Sequence, residues 1–276
     1  MIHHFAVTES DFLSHFLIEK GYTAEDLAYW YEFGAIYVDG LRFRSDTQLN
    51  PNQIVRLHTK PKRYQWEGSL KELIVERTED WLVLDKPSGC PVHPTLDNYV
   101  ENAKTALERE LGIPLFSTHR LDIPTSGLLI FALNKLAQRQ INQAFAKHQV
   151  TKIYHAITDQ PVSQGPHVLY LNPESRVPRE HSVEAHDSWW RCEMVIEESA
   201  ERDGRFCHRI RLLTGKTHQI RAQLAALGAP ICGDEIYGSK YVHERLALEC
   251  YSLSFAFRSR TLAWTRARTI AVPPGS

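Results

Sequence analysis

The chain has 276 residues, 43% of them apolar and 24% charged, with a formal net charge of −1. That suits one large globular domain, or one with a small appendage, and no apolar run reaches the roughly 18 residues of a membrane-spanning helix. A dedicated nucleic-acid binder is usually basic, so the overall balance counts mildly against one, although the distribution of charge matters more than its sum.

The opening Met1-Ile2-His3-His4-Phe5 lacks the charged and long apolar regions of a secretory leader, so the cytoplasm is expected. The five cysteines, Cys90, Cys192, Cys207, Cys232 and Cys250, are odd in number and form no C-x-x-C pair. They read as reduced packing thiols, and with no H-E-x-x-H pattern present no metal is expected.

Residues 1–62 read as a small separate module. Phe12, Phe16 and Leu17 share one face of a predicted helix, and Leu27, Trp30 and Tyr31 repeat the spacing after Gly21. Gly34 to Gly40 alternates like a strand and closes on the turn signal Asp39-Gly40. Leu49-Asn50-Pro51 breaks the chain before a last strand, Ile54 to Leu57, and Pro61 to Gly68 reads as a linker. Residues 63–276 form the second predicted domain.

Leu73 to Val75 and Trp81 to Leu84 read as strands, the second ending in the turn Lys86-Pro87-Ser88-Gly89. Val100, Ala103, Leu107 and Leu111 predict a helix stopped by Gly112 and Pro114. His119-Arg120-Leu121-Asp122-Ile123-Pro124-Thr125-Ser126-Gly127 reads as a loop feeding a buried strand, Leu128 to Leu133. A carboxylate there is held by a rigid element, where catalytic groups tend to sit. By its own residues the loop reads equally as a plain turn whose Asp122 bonds its own backbone.

Asn134 predicts the cap of a helix burying Ala137, Ile141, Ala144 and Phe145. Val150 to Ile157 reads as a strand. Residues 159–190, with Pro161, Pro166, Pro173 and Pro178, read as loop-rich. Ile210 to Leu213 reads as a strand turning at Thr214-Gly215. Thr217 to Leu227 reads as a helix with Ile220, Leu224 and Leu227 inward and Gly228 as its stop. The tail alternates through Ser252 to Phe257 and ends in Pro273-Pro274. Arg56, Lys60, Lys62 and Arg63 form one acid-free run, and Arg258, Arg260, Arg266 and Arg268 another; acids gather at Glu193 to Asp203. Taken singly, each run reads as a solvated face.

The loop around Asp122 resembles the H-R-L-D-x-x-T-S-G-L-L signature of the RluA-type pseudouridine synthases. Lys86-Pro87-Ser88-Gly89, Lys152-Ile153-Tyr154 and Leu213-Thr214-Gly215-Lys216-Thr217-His218-Gln219-Ile220-Arg221 match further motifs in the family's order. Together the four cover roughly residues 70–275, and their order makes the resemblance specific. It implies an α+β fold, with a mixed, mainly antiparallel sheet, flanking helices and a central cleft. The N-terminal module resembles the small RNA-binding module of ribosomal protein S-four type. Its helices carry Trp30, Tyr31 and Phe33 where that module is basic, which implies a degenerate copy.

The resemblance implies isomerisation of uridine to pseudouridine in ribosomal or transfer RNA, with no cofactor and no metal. It makes Asp122 the carboxylate acting on the sugar, either as a nucleophile at C1′ or as a base at C2′. Arg221 would pair with Asp122, and Tyr154 would stack on the flipped base and relay its proton. Among the RNA contacts, Arg120 would enter the stack that the base leaves, Lys152 would support the pocket, and Lys216 would keep a cationic contact where the family usually has Arg. His119 and Thr125 read as loop scaffolding, and His218 and Gln219 as supports. A monomer is expected. Two alternatives stay open: a non-catalytic RNA-binding or chaperone protein of the same fold, and a hydrolase removing the base.

Overall fold

Alternating apolar residues make strands the commonest regular element of the chain. The computed structural model describes residues 1–241, 245–258, 260–267 and 269–271. By packing they divide into two units, residues 1–65 with 90–112 and residues 66–89 with 113–276.

The first unit runs β1 (Ile2–Ala6), β2 (Asp11–Phe12), α1 (Leu13–Glu19), α2 (Ala24–Phe33), β3 (Ile36–Val38), β4 (Leu41–Phe43), β5 (Gln48–Leu49), β6 (Ile54–His58) and α3 (Ala103–Leu111). Its main sheet has the order β1-β6-β3-β4. The Asp39-Gly40 turn joins β3 to β4 with both φ angles positive, 48° and 80°, the conformation that a two-residue hairpin needs. Thr23 and Asp26 form a capping box on α2, and Gly34 ends that helix at φ 60°. Leu13, Phe16, Leu17, Leu27, Trp30 and Ile36 fill the core.

Two expectations change here. Phe12 lies in β2 and is exposed, because the backbone is still extended there and α1 starts at Leu13. The first half of the predicted linker is clamped rather than free. Lys62 N donates to Asp97 at 2.7 Å, Tyr64 N donates to Glu101 at 2.8 Å, and Asn98 Nδ2 donates to Lys62 O at 2.8 Å. Arg63, read as part of a solvated basic run, is paired with Glu101. Near α1, Asp11, His15 and Glu19 bring potential metal-ligand atoms within 4.8 Å of one another. They are surface groups, and Asp11 already bonds His15 at 2.7 Å.

The second unit runs β7 (Ile74–Arg77), β8 (Trp81–Lys86), β9 (Phe116–Ser117), β10 (Ser126–Ala132), α4 (Lys135–Ala146), β11 (Thr151–Thr158), β12 (Gly165–Leu171), β13 (His181–Ser182), β14 (Trp190–Arg202), β15 (Arg205–Leu212), α5 (Gln219–Ala226), β16 (Leu248–Phe257) and β17 (Arg260–Thr265). The sheet order is β13-β12-β14-β15-β11-β16-β10-β8-β7, with β17 beside β16 and β9 beside β10. Among the described strands β10 and β16 pair in parallel; the neighbours of the other strands run antiparallel. Helix α4 packs on β10 and β16, and α5 on β12. The fold is therefore α+β, with a mixed, mainly antiparallel sheet and flanking helices.

The buried run Gly127 to Ala132 makes β10 the inner strand that carries the Asp122 loop. Gly127 is where β10 meets β16: its φ is 111°, and a Cβ there would lie 2.3 Å from Cys250 O. A glycine is required both for that backbone conformation and for that approach.

The acid-rich stretch after residue 190 is a strand, β14. Cys192, Met194 and Ile196 are buried and alternate with the more exposed Glu193, Val195 and Glu197, a period of two. Asp203-Gly204, with φ 50° and 71°, turns it into β15. The proline-rich stretch also holds a strand, β12, which pairs with β14 from Gly165 to Leu171. Pro166 is tolerated as its second residue, near the strand's start. Leu227, expected inward, is exposed because α5 ends at Ala226. Arg266, read as solvated, bonds the fully buried Glu249 and reaches Asp85 at 2.9 Å. Pro273-Pro274 and Arg268 lie outside the described residues.

Candidate active site

The predicted site residues come from four places in the second unit, and the fold brings them to one cleft of about 700 Å³. Asp122 and Arg120 come from the loop before β10, Lys152 and Tyr154 from β11, Lys216 from the turn after β15, and Arg221 from α5. All six line this cleft. Its volume falls within the range of small-molecule sites.

The Asp122 loop is braced by the backbone and by neighbouring side chains. Thr125 N donates to Asp122 O at 3.0 Å, which closes the turn. Fully buried Lys86 donates from Nζ to Pro87 O at 3.0 Å and to Ile123 O at 3.2 Å. Ser88 Oγ donates to Pro124 O at 2.7 Å. His119 Nε2 accepts from Ile130 N at 3.0 Å, and its ring stacks on Phe145 at 4.8 Å. The K-P-S-G motif and His119 therefore hold the loop in place, and Asp122 is left facing the cleft with its side chain 15% exposed.

Arg221 is buried, and its main partner is not the expected one. Its Nε and Nη2 both donate to Asp234 at 2.7 Å, as a two-pronged fork. Asp122 lies 3.7 Å from Nη1, within ion-pair reach but beyond a hydrogen bond. Nη1 is 3.0 Å from His218 Nε2, and His218 Nε2 is 3.9 Å from Asp122. Read as a support, His218 thus stands beside the carboxylate. Its backbone, at φ 61°, turns the chain into α5. Tyr237 OH lies 3.3 Å from His218 Nδ1.

Burial shapes the charges. Desolvation holds the His218 imidazole below its ordinary value, opposed by Asp122 and reinforced by Arg221. Burial also lowers Lys152 and pushes the Tyr154 phenol well up, helped by its bond to Cys250. Lys152 Nζ donates to Thr214 O at 3.2 Å. Gln219 ties the following turn together: its Oε1 accepts from Thr214 Oγ1 at 2.9 Å and from Lys216 N at 3.1 Å. Thr125 Oγ1 is buried, its residue lines the cleft, and it has no hydrogen-bond partner among the described residues. A deep carboxylate beside a fixed guanidinium, with a neutral phenol in the same cavity, is suited to chemistry at a sugar carbon with a base held nearby.

Three participants escaped the sequence reading. Asp234 sits in Gly233 to Gly238, a stretch that resembles the loop usual at this point of the family but that gave Asp234 no role. Trp189 and Trp190, also in the cleft, lie in the stretch read as loop. No spacing rule connects these residues to Asp122.

Residues 80–226 match the RNA pseudouridylate synthase family, and the chain belongs to that family. It is 33% identical to RNA pseudouridine synthase 6, chloroplastic, of Oryza sativa subsp. japonica, over 69% of this chain and 45% of that protein. The chain thus spans less than half of that relative's length. It is 32% identical to tRNA pseudouridine synthase C of Vibrio cholerae, over 65% of this chain and 79% of the relative. The solved structure of human RNA Pseudouridylate Synthase Domain Containing 4 shares the fold: the TM-score is 0.60 at 21% identity, covering 71% of this chain and 88% of that one.

Burial makes two histidines reporters of folding. His119 is held down to about 3 and His208 to about 4, both by desolvation. Above the unfolded value, about 6.5, neither state takes a proton at these groups. Below it the unfolded chain gains protons that the folded chain refuses. Stability is then lost at about 1.4 kcal/mol per pH unit for each imidazole, down to the folded values. The melting temperature is expected to fall from about pH 6.5 to about pH 4.5, and less steeply in His119→Gln. Equal slopes in the two proteins, measured by thermal melts across that range, would contradict a neutral buried His119.

Proposed function

We propose that the protein is an RNA pseudouridine synthase that isomerises uridines of ribosomal or transfer RNA by base flipping. The observation that carries this reading is the Asp122 carboxylate in the cleft with the Arg221 guanidinium 3.7 Å away, in a chain of this family. In the reaction the bond from uracil N1 to ribose C1′ breaks, the base turns, and C5 bonds to C1′. The C5 proton leaves and N1 is left protonated, so atoms balance without redox change. Asp122 acts on the sugar, and the Arg221 guanidinium stands 3.7 Å from it in the cavity. Buried and neutral, the Tyr154 phenol stacks on the base and relays the C5 proton. Arg120, Lys152 and Lys216 supply positive charge for the RNA. The enzyme acts as a monomer in the cytoplasm.

The first module, residues 1–62, is a degenerate copy of the S-four type, and residues 63–276 are the catalytic domain. What supports degeneracy is that its cations are used for packing. Arg44 lies over the Tyr99 ring at 4.3 Å, Arg56 over Tyr37 at 4.2 Å, and Arg42 donates to Tyr37 OH at 2.9 Å.

Asp122→Asn is expected to keep the fold and RNA binding and to lose turnover by at least about 10³-fold. Tritium release from C5-labelled RNA measures this, and more than a small fraction of wild-type release would sink the assignment. Free uracil in place of pseudouridine would favour the hydrolase alternative.

In single-turnover kinetics Tyr154→Phe should bind RNA as before, since the ring remains, while the product-forming step slows. An unchanged rate would reduce Tyr154 to a stacking platform.

Each phosphate contact adds roughly 0.7–0.9 to the slope of log affinity against log salt. Combining Arg44→Ala with Lys60→Ala is expected to change that slope by less than one contact. A drop of one contact or more would show the first module gripping RNA.

A further inference from the structure

The cleft holds more than the groups a single uridine needs. Trp189 and Trp190 line the same cavity as Asp122, and both are half-buried. The Trp189 ring stacks on exposed His186 with centroids 4.3 Å apart and planes 20° apart. Trp190 leads into β14 and packs against Leu169, Leu171 and Cys192, which fixes it to the sheet. Lys216 Nζ lies 5.2 Å from the Trp190 centroid and the Arg179 guanidinium 5.8 Å from it. Arg191 is paired with Glu193. No carboxylate lies within ion-pair distance of Lys216 or Arg120 among the described residues, and both are exposed in the cleft.

Half-exposed indoles next to unpaired cations match what binds unpaired nucleotides: aromatic rings take bases and cations take the backbone. We propose that Trp189, stacked on His186, together with Trp190 forms a shelf for an unpaired base adjoining the flipped uridine, with Lys216 against its phosphate. This rests on the pseudouridine synthase reading and narrows its substrate class to single-stranded or loop uridines with an unpaired neighbour. The shelf is in place before RNA arrives, so little ordering is needed on binding.

The test uses binding, which does not depend on turnover. The probes are a single-stranded oligouridylate, an abasic ribose-phosphate oligomer of the same length and a duplex, each followed by anisotropy with the full chain. Wild type is expected to prefer the oligouridylate and to show quenched indole fluorescence on binding it. Trp189→Ala should weaken the oligouridylate about tenfold, leave the abasic oligomer unchanged and lose part of the quench; Trp189→Phe should restore affinity. Lys216→Ala should weaken both single strands alike and flatten the salt slope. His186→Ala, at an exposed position, gives a second variant should Trp189→Ala fail to fold, and should weaken only the oligouridylate. Equal affinity of wild type and the Trp189 and His186 variants for the oligouridylate, or an equal loss on the abasic oligomer, would overturn the shelf. A protein that shows the expected binding pattern but makes no pseudouridine in any RNA would refute the catalytic reading and leave the shelf standing.

Discussion

A buried guanidinium shared unequally between two carboxylates sets the geometry of the cleft. Arg221 gives its fork to Asp234 at 2.7 Å and approaches Asp122 only to 3.7 Å. Had the fork closed on Asp122, two strong charge-assisted bonds would have to weaken before that carboxylate could engage a ligand. With Asp234 as the anchor, Asp122 keeps the field of a cation and retains free lone pairs. Desolvation is met at the same time: a buried guanidinium needs a partner, and Asp234, itself buried, supplies one. His218, held neutral and wedged between Arg221 and Asp122, limits how far the guanidinium can swing.

That arrangement depends on the sheet below it. The Asp122 loop ends at β10, and β10 is registered to β16 through Gly127, where nothing larger than hydrogen fits. Behind the same junction, buried Glu249 on β16 is neutralised by Arg266 and bonded to His155 at 3.3 Å. Burial raises the Asp85 carboxyl across the strand, and Arg266 opposes that rise. A tail residue thus stabilises the strand pair that holds the Asp122 loop.

The site was legible in the sequence where its chemistry is written in short contiguous runs. Asp122, Tyr154, Lys152 and Arg221 each sit in a local motif, and all four reach one cleft. Asp234 was not legible as Arg221's partner, because a Gly-Asp turn carries no sign of what it will face. Of the fold, Asn134 and Gly112 marked helix ends as expected, since caps are local chemistry. Strand β14 was written in the alternation of Cys192, Met194 and Ile196, but its acids masked the pattern. The packing of residues 90–112 with residues 1–65 was hidden for another reason. It rests on Asp97, Asn98 and Glu101 meeting backbone near Lys62 and Tyr64, more than thirty positions away in the chain.

That last feature has a consequence for how the chain leaves the ribosome. The first unit is discontinuous, so its contact set is complete only after residue 112 has emerged, and β7 and β8 are synthesised in between. Until then those two strands form at most an isolated hairpin, marginal in water, because β10, the next strand to pair with β8, begins at Ser126. Neither unit can finish while the other is unstarted. Co-translational folding should therefore proceed by alternation between the two rather than one after the other, with β8's apolar edge the surface most in need of shielding meanwhile.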